Sequence, residues 1–238
     1  FSFPKKPIKA PQLMPYPTPP ELPAWLGDRL HKALKLYFYN RQSKLYADDP
    51  LAPLHKQLSA HFRQYRKRYN ITGRTLNGSW TQHQVRWWII GAVRRFIRFF
   101  EREHPGWFRS EWSLSTVPLT DTLIAHLGEP DLVFHSGRRD AHMVLDFKTA
   151  DSNEKYIHRS RKDDIKRWRK LLGYAYGARQ KCQHRHGIVM GKLYIGYVVF
   201  IREKVRKGRM PRMTVLEQAV SSRRLSAWRS HYLRKNKP

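Results

Sequence analysis

Cysteine is nearly missing from this 238-residue chain: Cys182 stands alone. That excludes an intrachain disulfide framework and any four-thiolate zinc or iron–sulfur site built from this chain. Cys182 reads as a bystander thiol, and a reducing, cytoplasmic interior is the expected compartment. Acid is scarce as well, with 18 Asp and Glu against 47 Lys and Arg, a formal charge of +29. Such a field repels polycations and a second copy of itself, and it attracts polyanions. Long apolar runs are absent, because no stretch approaches the ~20 uninterrupted residues of a membrane span. The opening "FSFPKKPIKAPQLMPYPTPPELP" has proline where a signal peptide needs an apolar run, so no secretion signal is expected. No internal repeat occurs.

Aromatics, by contrast, are plentiful: 8 Trp, 12 Tyr and 11 Phe accompany the basic charge. Rings can stack bases as well as fill a core, so among polyanions nucleic acid fits best. Length and composition suit one domain with peripheral additions. Residues 1–22 hold seven of the 15 prolines. They read as an extended arm without a core of its own.

A helical region is expected over 23–108. "AWLGDRLHKALKLYFYN" and "PLHKQLSAHFRQYRKRY" carry apolar residues at helical spacing. Trp80 to Glu103 is the strongest helix, apolar on one side and ended by Pro105-Gly106. Arg94, Arg95 and Arg98 share an adjoining face of it, which is either a solvated surface or a track for phosphates.

After Gly106 the texture turns β-rich. "EWSLSTV", "LIAHL", "PDLVFHS" and "HMVLDFK" are short and partly alternating, and together predict an antiparallel meander within a core spanning 109–216. "GRRDA" reads as the hairpin loop between the last two. "RKDDIKRWRKLLGYAYGARQKC" predicts a helix, with Asp163-Asp164 at its start. "KLYIGYVVFIREKV" predicts a buried strand with a turn at Lys204 to Gly208, and "MTVLEQAV" either a last strand or a helix entry. Residues 217–238 read as a basic C-terminal helix.

Within the meander, Asp131 opens one strand and Asp146-Phe147-Lys148 closes the next. Folding the hairpin brings both aspartates to one region. Alternation puts Asp146 and Lys148 on a shared face and turns Phe147 into the core. Two carboxylates and the backbone carbonyl of Phe147 make an all-oxygen site suited to Mg²⁺ or Mn²⁺. Lys148 then sits where an ammonium can orient a water or meet charge growing on a phosphate. The plainer alternative is an ion pair between Asp146 and Lys148 with no chemistry.

At these residues the sequence resembles the PD-(D/E)xK nuclease superfamily, and within it the RecB-like exonuclease branch. Pro130-Asp131 matches the "PD", Asp146-Phe147-Lys148 the "D-x-K", and "DFKTA" the branch's run at 146–150. Gly128 precedes Asp131 as in the branch's G-x-x-D. The resemblance covers roughly residues 78–200. It implies an α/β (α+β) fold: a restriction-endonuclease-like core, with a central mixed sheet flanked by helices. It implies a Mg²⁺- or Mn²⁺-dependent deoxyribonuclease in which His83 is a further metal ligand, with His126 a competing candidate. Glu111 matches an acid that many relatives place near the metals. "KLLGY" falls where the branch has Q-x-x-x-Y, giving Tyr174 a match but putting Lys170 in the glutamine's place, where it could contact a phosphate. Tyr176 reads as core.

Expected partners are DNA, single- or double-stranded, or RNA, and a larger nucleoprotein complex is compatible with the charge. A second hypothesis keeps the fold without cleavage, as a nucleic-acid-binding or scaffolding subunit. Exonuclease or endonuclease action, strand preference and oligomeric state are left open by the sequence.

Overall fold

A computed structural model of the protein describes residues 22–41, 51–76, 80–109, 116–121, 123–136, 140–151, 165–186 and 191–235. The Pro-rich arm, Glu111 and Asp163-Asp164 lie outside these residues, as does the side chain of Cys182.

Helix α1 (Leu22–Arg41) and helix α2 (Ala52–Arg68) come first, followed by a small pair of strands, β1 (Thr75–Leu76) and β2 (Trp80–Thr81). Helix α3 (Gln82–Glu103) begins on a reciprocal cap: the Gln84 N–H donates to the Thr81 hydroxyl, and the Thr81 N–H donates to the Gln84 side-chain oxygen. Such a cap is worth about 1 kcal/mol. The apolar stripe of α3, from Val85 to Phe100, is buried with α1 and α2.

The remaining strands are β3 (Phe108–Arg109), β4 (Thr116–Pro118), β5 (Ile124–His126), β6 (Leu132–His135), β7 (Ala141–Ala150), β8 (Lys192–Ile201) and β9 (Met213–Ala219). Helix α4 (Ile165–His186) crosses between β7 and β8, and helix α5 (Ser222–Lys235) ends the described chain. The central sheet has five strands in the order β3-β6-β7-β8-β9, with β7 and β8 parallel and the other neighbours antiparallel. It is the mixed sheet flanked by helices that the fold class called for.

The predicted meander needs correcting. "LIAHL" does not enter the central sheet; β5 pairs with β4 in a separate two-stranded sheet. Both strands are too short to contribute a buried row, and only Val117 and Ala125 at their middles are buried. The neighbour of β6 is β3 instead. "MTVLEQAV" resolves to a strand, β9, paired along β8.

β7 is buried along its first seven residues. A central strand covered on both faces reads as a continuous apolar run, and "AHMVLDF" nearly does. Met143, Leu145 and Phe147 face the layer of α1, α2 and α3. Val144 faces α4 and α5, and alternation puts Asp146 and Lys148 on that side too. α3 is tied to the sheet where the Trp88 indole N–H donates to the Ile201 carbonyl at 2.9 Å.

Candidate metal centre

The site arises because β7 is longer than its neighbour. β6 begins at Leu132, opposite Leu145, while β7 continues to Ala150. Extending the register by two places would set Pro130 opposite Phe147. Proline has no N–H to give the ladder. That would leave the Phe147 carbonyl without a ladder donor, and the Phe147 N–H donates to the Asp131 carboxylate, Oδ2, at 2.7 Å. In a strand the carbonyl of a residue leaves on the same side as its N–H, so the Phe147 carbonyl faces the same notch. Proline before aspartate thus ends the ladder and supplies a carboxylate at its end. Gly128, at φ 75, makes the turn into it, a conformation few other residues adopt.

Asp131 and Asp146 are both nearly enclosed, their side chains 10% and 6% exposed. Lys148 forms an ion pair with Asp146 across the strand face and remains 34% exposed. With Asp146 this enclosed, the pair is not a surface ornament; an unpaired carboxylate there would be costly.

The two acids differ in proton affinity. For Asp146, burial pushes the carboxyl above the ordinary carboxylate range; the Lys148 charge opposes this and the neighbouring Asp131 charge adds to it. For Asp131, burial also pushes upward, but it is outweighed by the hydrogen bond and charge of His31, the Phe147 N–H and Lys148, which hold the group low. Two close carboxylates with separated proton affinities are a recurring feature of reactive sites.

The histidine at Asp131 is His31 of α1, its Nδ1 3.0 Å from Asp131 Oδ1. His83 is elsewhere: exposed on the first turn of α3, its ring 6.0 Å from that of Trp87. The histidine set against Asp131 among the described residues is thus His31, where the expectation named His83. A signal for it existed. His31 lies on the helical stripe of Leu34 and Phe38, both buried, so the sequence turns an imidazole toward the packed side. His126 is exposed in β5.

Tyr174 of α4 is fully buried and donates its hydroxyl to the Leu127 carbonyl at 3.0 Å, bracing the turn at Gly128. Burial raises its phenol strongly, helped by the charges of Asp146, Asp131 and Glu129, so it serves as a neutral donor. The Lys170 ammonium stands 5.4 Å above the Tyr174 ring, exposed and near enough to Asp146 to lower its pKa. Tyr176 packs its ring 5.6 Å from Trp228, on the second core. Arg94, Arg95 and Arg98 are not part of the notch and line two cavities on α3.

Two carboxylates, an imidazole and a carbonyl are donor types that Mg²⁺ or Mn²⁺ accepts. As placed, Asp131 faces His31 and the Phe147 N–H, and Asp146 faces Lys148. Among the described residues no three His, Cys, Asp or Glu side chains converge as a metal shell. The chemistry of the set fits a hard cation, while the side chains are engaged with one another. No helix among the described residues is long and apolar enough to cross a membrane.

No protein-family model and no curated protein matches the chain. Among solved structures, the chain is similar to the crystal structure named "Putative exonuclease" from Eubacterium rectale, at 10% identity and a TM-score of 0.34. The alignment covers 77% of this chain and 61% of that one, so the chain spans about three-fifths of that protein's length.

Proposed function

We propose that the protein is a metal-dependent nuclease that hydrolyses phosphodiester bonds in DNA. The observation that carries this reading is the pairing of two enclosed carboxylates, Asp131 and Asp146, with Lys148 on one strand end. Asp131, Asp146 and the Phe147 carbonyl would hold Mg²⁺ or Mn²⁺, with His31 as a further protein group. Such a cation, when bound, lowers the pKa of a water and polarises a phosphoryl oxygen. Lys148, the most exposed member of the trio, would meet a phosphate or orient a water. Tyr174 keeps the turn before Asp131 in place, and Lys170 adds positive charge beside Asp146. The +29 charge supports affinity for a polyanion without regard to sequence, and makes that affinity strongly salt-dependent. Incubation with single- and double-stranded DNA plus Mg²⁺ or Mn²⁺ tests the reading. Wild type should cut, and Lys148→Ala and Asp146→Asn should not; equal cutting by all three removes the assignment.

One observation favours a second reading, a nucleic-acid-binding subunit that does not cleave: both acids are engaged by protein groups, His31, Lys148 and a backbone N–H. Calorimetric titration with Mn²⁺ separates the two. Uptake by wild type that is lost in Asp131→Ala favours the nuclease, and no uptake by either favours the binding subunit.

A further inference from the structure

α3 carries a second polar face that the chemistry above leaves unused. Trp87 is half-buried there, and His83, one turn earlier, sets its ring 6.0 Å away. The segment after β8 folds back over this face. Gly208, at φ 80, turns the segment, and Gly91 in the helix admits it, since a Cβ at 91 would stand 2.7 Å from the Arg209 carbonyl oxygen. Between helix and segment lies a cavity of about 260 Å³ lined by His55, Arg86, Trp87, Arg94, Lys207 and Arg209, among others. Met210 also borders a second cavity of about 410 Å³, where Arg95, Arg98 and Phe99 are found. No aspartate or glutamate lines either cavity among the described residues.

Arginines on a helix are usually a solvated face, but this arrangement is more than that. Arg86 is drawn inward, donating to the Ser59 hydroxyl at 2.7 Å and lying 5.9 Å over the Phe62 ring. Its Nε is buried with no hydrogen-bond partner. Arg94, Lys207 and Arg209 are exposed around the same opening. Gathering like charges around one indole without an acid costs electrostatic energy, which a bound polyanion would relieve.

We propose that this groove binds single-stranded nucleic acid, with an unpaired base stacked on Trp87 and the flanking phosphates on Arg94, Lys207 and Arg209. The second cavity takes the neighbouring nucleotide between Arg95 and Arg98, past Met210. A duplex hides its base faces within its own stack, so only a single strand offers one to the indole. The choice of nucleic acid as partner rests on the function proposed above, and this inference adds the form of the strand and where it is held. The groove belongs to the α3 layer, which covers the face of the sheet opposite Asp146 and Lys148. It would hold a strand apart from the reacting phosphate.

The test is fluorescence anisotropy in EDTA, using labelled oligothymidylate, an abasic oligomer of equal length and a duplex. Wild type should prefer oligothymidylate over the abasic strand. Trp87→Ala should lower oligothymidylate affinity about tenfold and leave the abasic strand unchanged, and Trp87→Phe should recover most of the loss. Lys207→Glu and Arg209→Glu, both at exposed positions, should weaken both strands and flatten the salt dependence. Equal wild-type affinity for the two strands, or Trp87→Ala without effect, overturns the proposal. So does displacement of oligothymidylate by duplex or polyglutamate at matched charge. No metal is present in these measurements, so an absence of cleavage activity would count against the nuclease alone.

Discussion

His31 and Asp131 stand 100 residues apart in sequence, yet the Nδ1 of one is 3.0 Å from the Oδ1 of the other. The contact fastens α1 to the mouth of the β6–β7 hairpin, and it keeps Asp131 ionised against the pull of burial. His31→Ala should therefore raise the Asp131 pKa, followed by carboxylate NMR. Mn²⁺ affinity by calorimetry should fall about tenfold or more, as when a metal site loses an orienting partner. His83→Ala should change neither quantity. If His83→Ala lowers the affinity and His31→Ala does not, the histidine assignment reverts to the sequence-based one.

The hairpin acids were legible in the sequence because both causes are local. Pro130 stops a ladder, and alternation along β7 sends Asp146 and Lys148 to one face. The histidine was not, since twelve histidines offer themselves and the choice depends on which helix crosses the end of β7. The resemblance implied His83 on α3, but a place in the order of elements does not tell what a helix packs beside. The β4–β5 pair was misplaced for a similar reason. Short alternating segments announce strands, and nothing in three residues tells which sheet accepts them. The recess between α3 and the segment after β8 also needs tertiary contact to exist.

The Asp146–Lys148 pair should govern stability in acid. The folded pKa of Asp146 lies above its ordinary 3.8, so the folded state binds a proton more readily than the unfolded chain. That contribution favours folding below the unfolded pKa and is lost as pH rises through the folded one. Asp131 has the opposite sign: its folded pKa is depressed, and its contribution is lost as pH falls. Lys148→Ala leaves Asp146 enclosed without its cation and should cost about 1–2 kcal/mol at neutral pH, toward the low end of buried-pair losses because Lys148 is partly solvated. The deficit should shrink as pH falls through the Asp146 pKa, which burial raises above its ordinary value. Thermal melts of both proteins across that interval check it, and a deficit that is constant with pH contradicts the pairing.

Tyr174→Phe tests the turn. The variant keeps the ring under Lys170 and removes only the hydroxyl that meets the Leu127 carbonyl. It should cost about 1 kcal/mol, the usual net value of such a bond. Gly128→Ala, which forces a side chain onto a φ of 75, should cost a similar amount. Each should weaken Mn²⁺ uptake modestly by loosening Asp131, whereas Tyr176→Phe should not. Denaturant melts and calorimetry read both effects.

Gly91→Ala sets two effects against each other. Alanine gains about 1 kcal/mol over glycine inside a helix from backbone entropy alone. Its Cβ, however, would stand 2.7 Å from the Arg209 carbonyl oxygen, 3.1 Å from Pro211 Cδ and 3.2 Å from Met210 Cα. All three atoms belong to one segment, and that segment resists retreat: Pro211 is buried, and the Arg212 N–H donates to Glu203 Oε1 at 2.6 Å. Overpacking of this kind costs about 1–3 kcal/mol, so the clash should win and the variant should be less stable than wild type. Lifting the segment off α3 also carries Lys207 and Arg209 away from Trp87, so oligothymidylate affinity should fall while Mn²⁺ uptake at Asp131 and Asp146 is unchanged. A variant of higher melting temperature with undiminished oligothymidylate binding would mean that the segment does not rest on the helix, and the groove would then have no second wall.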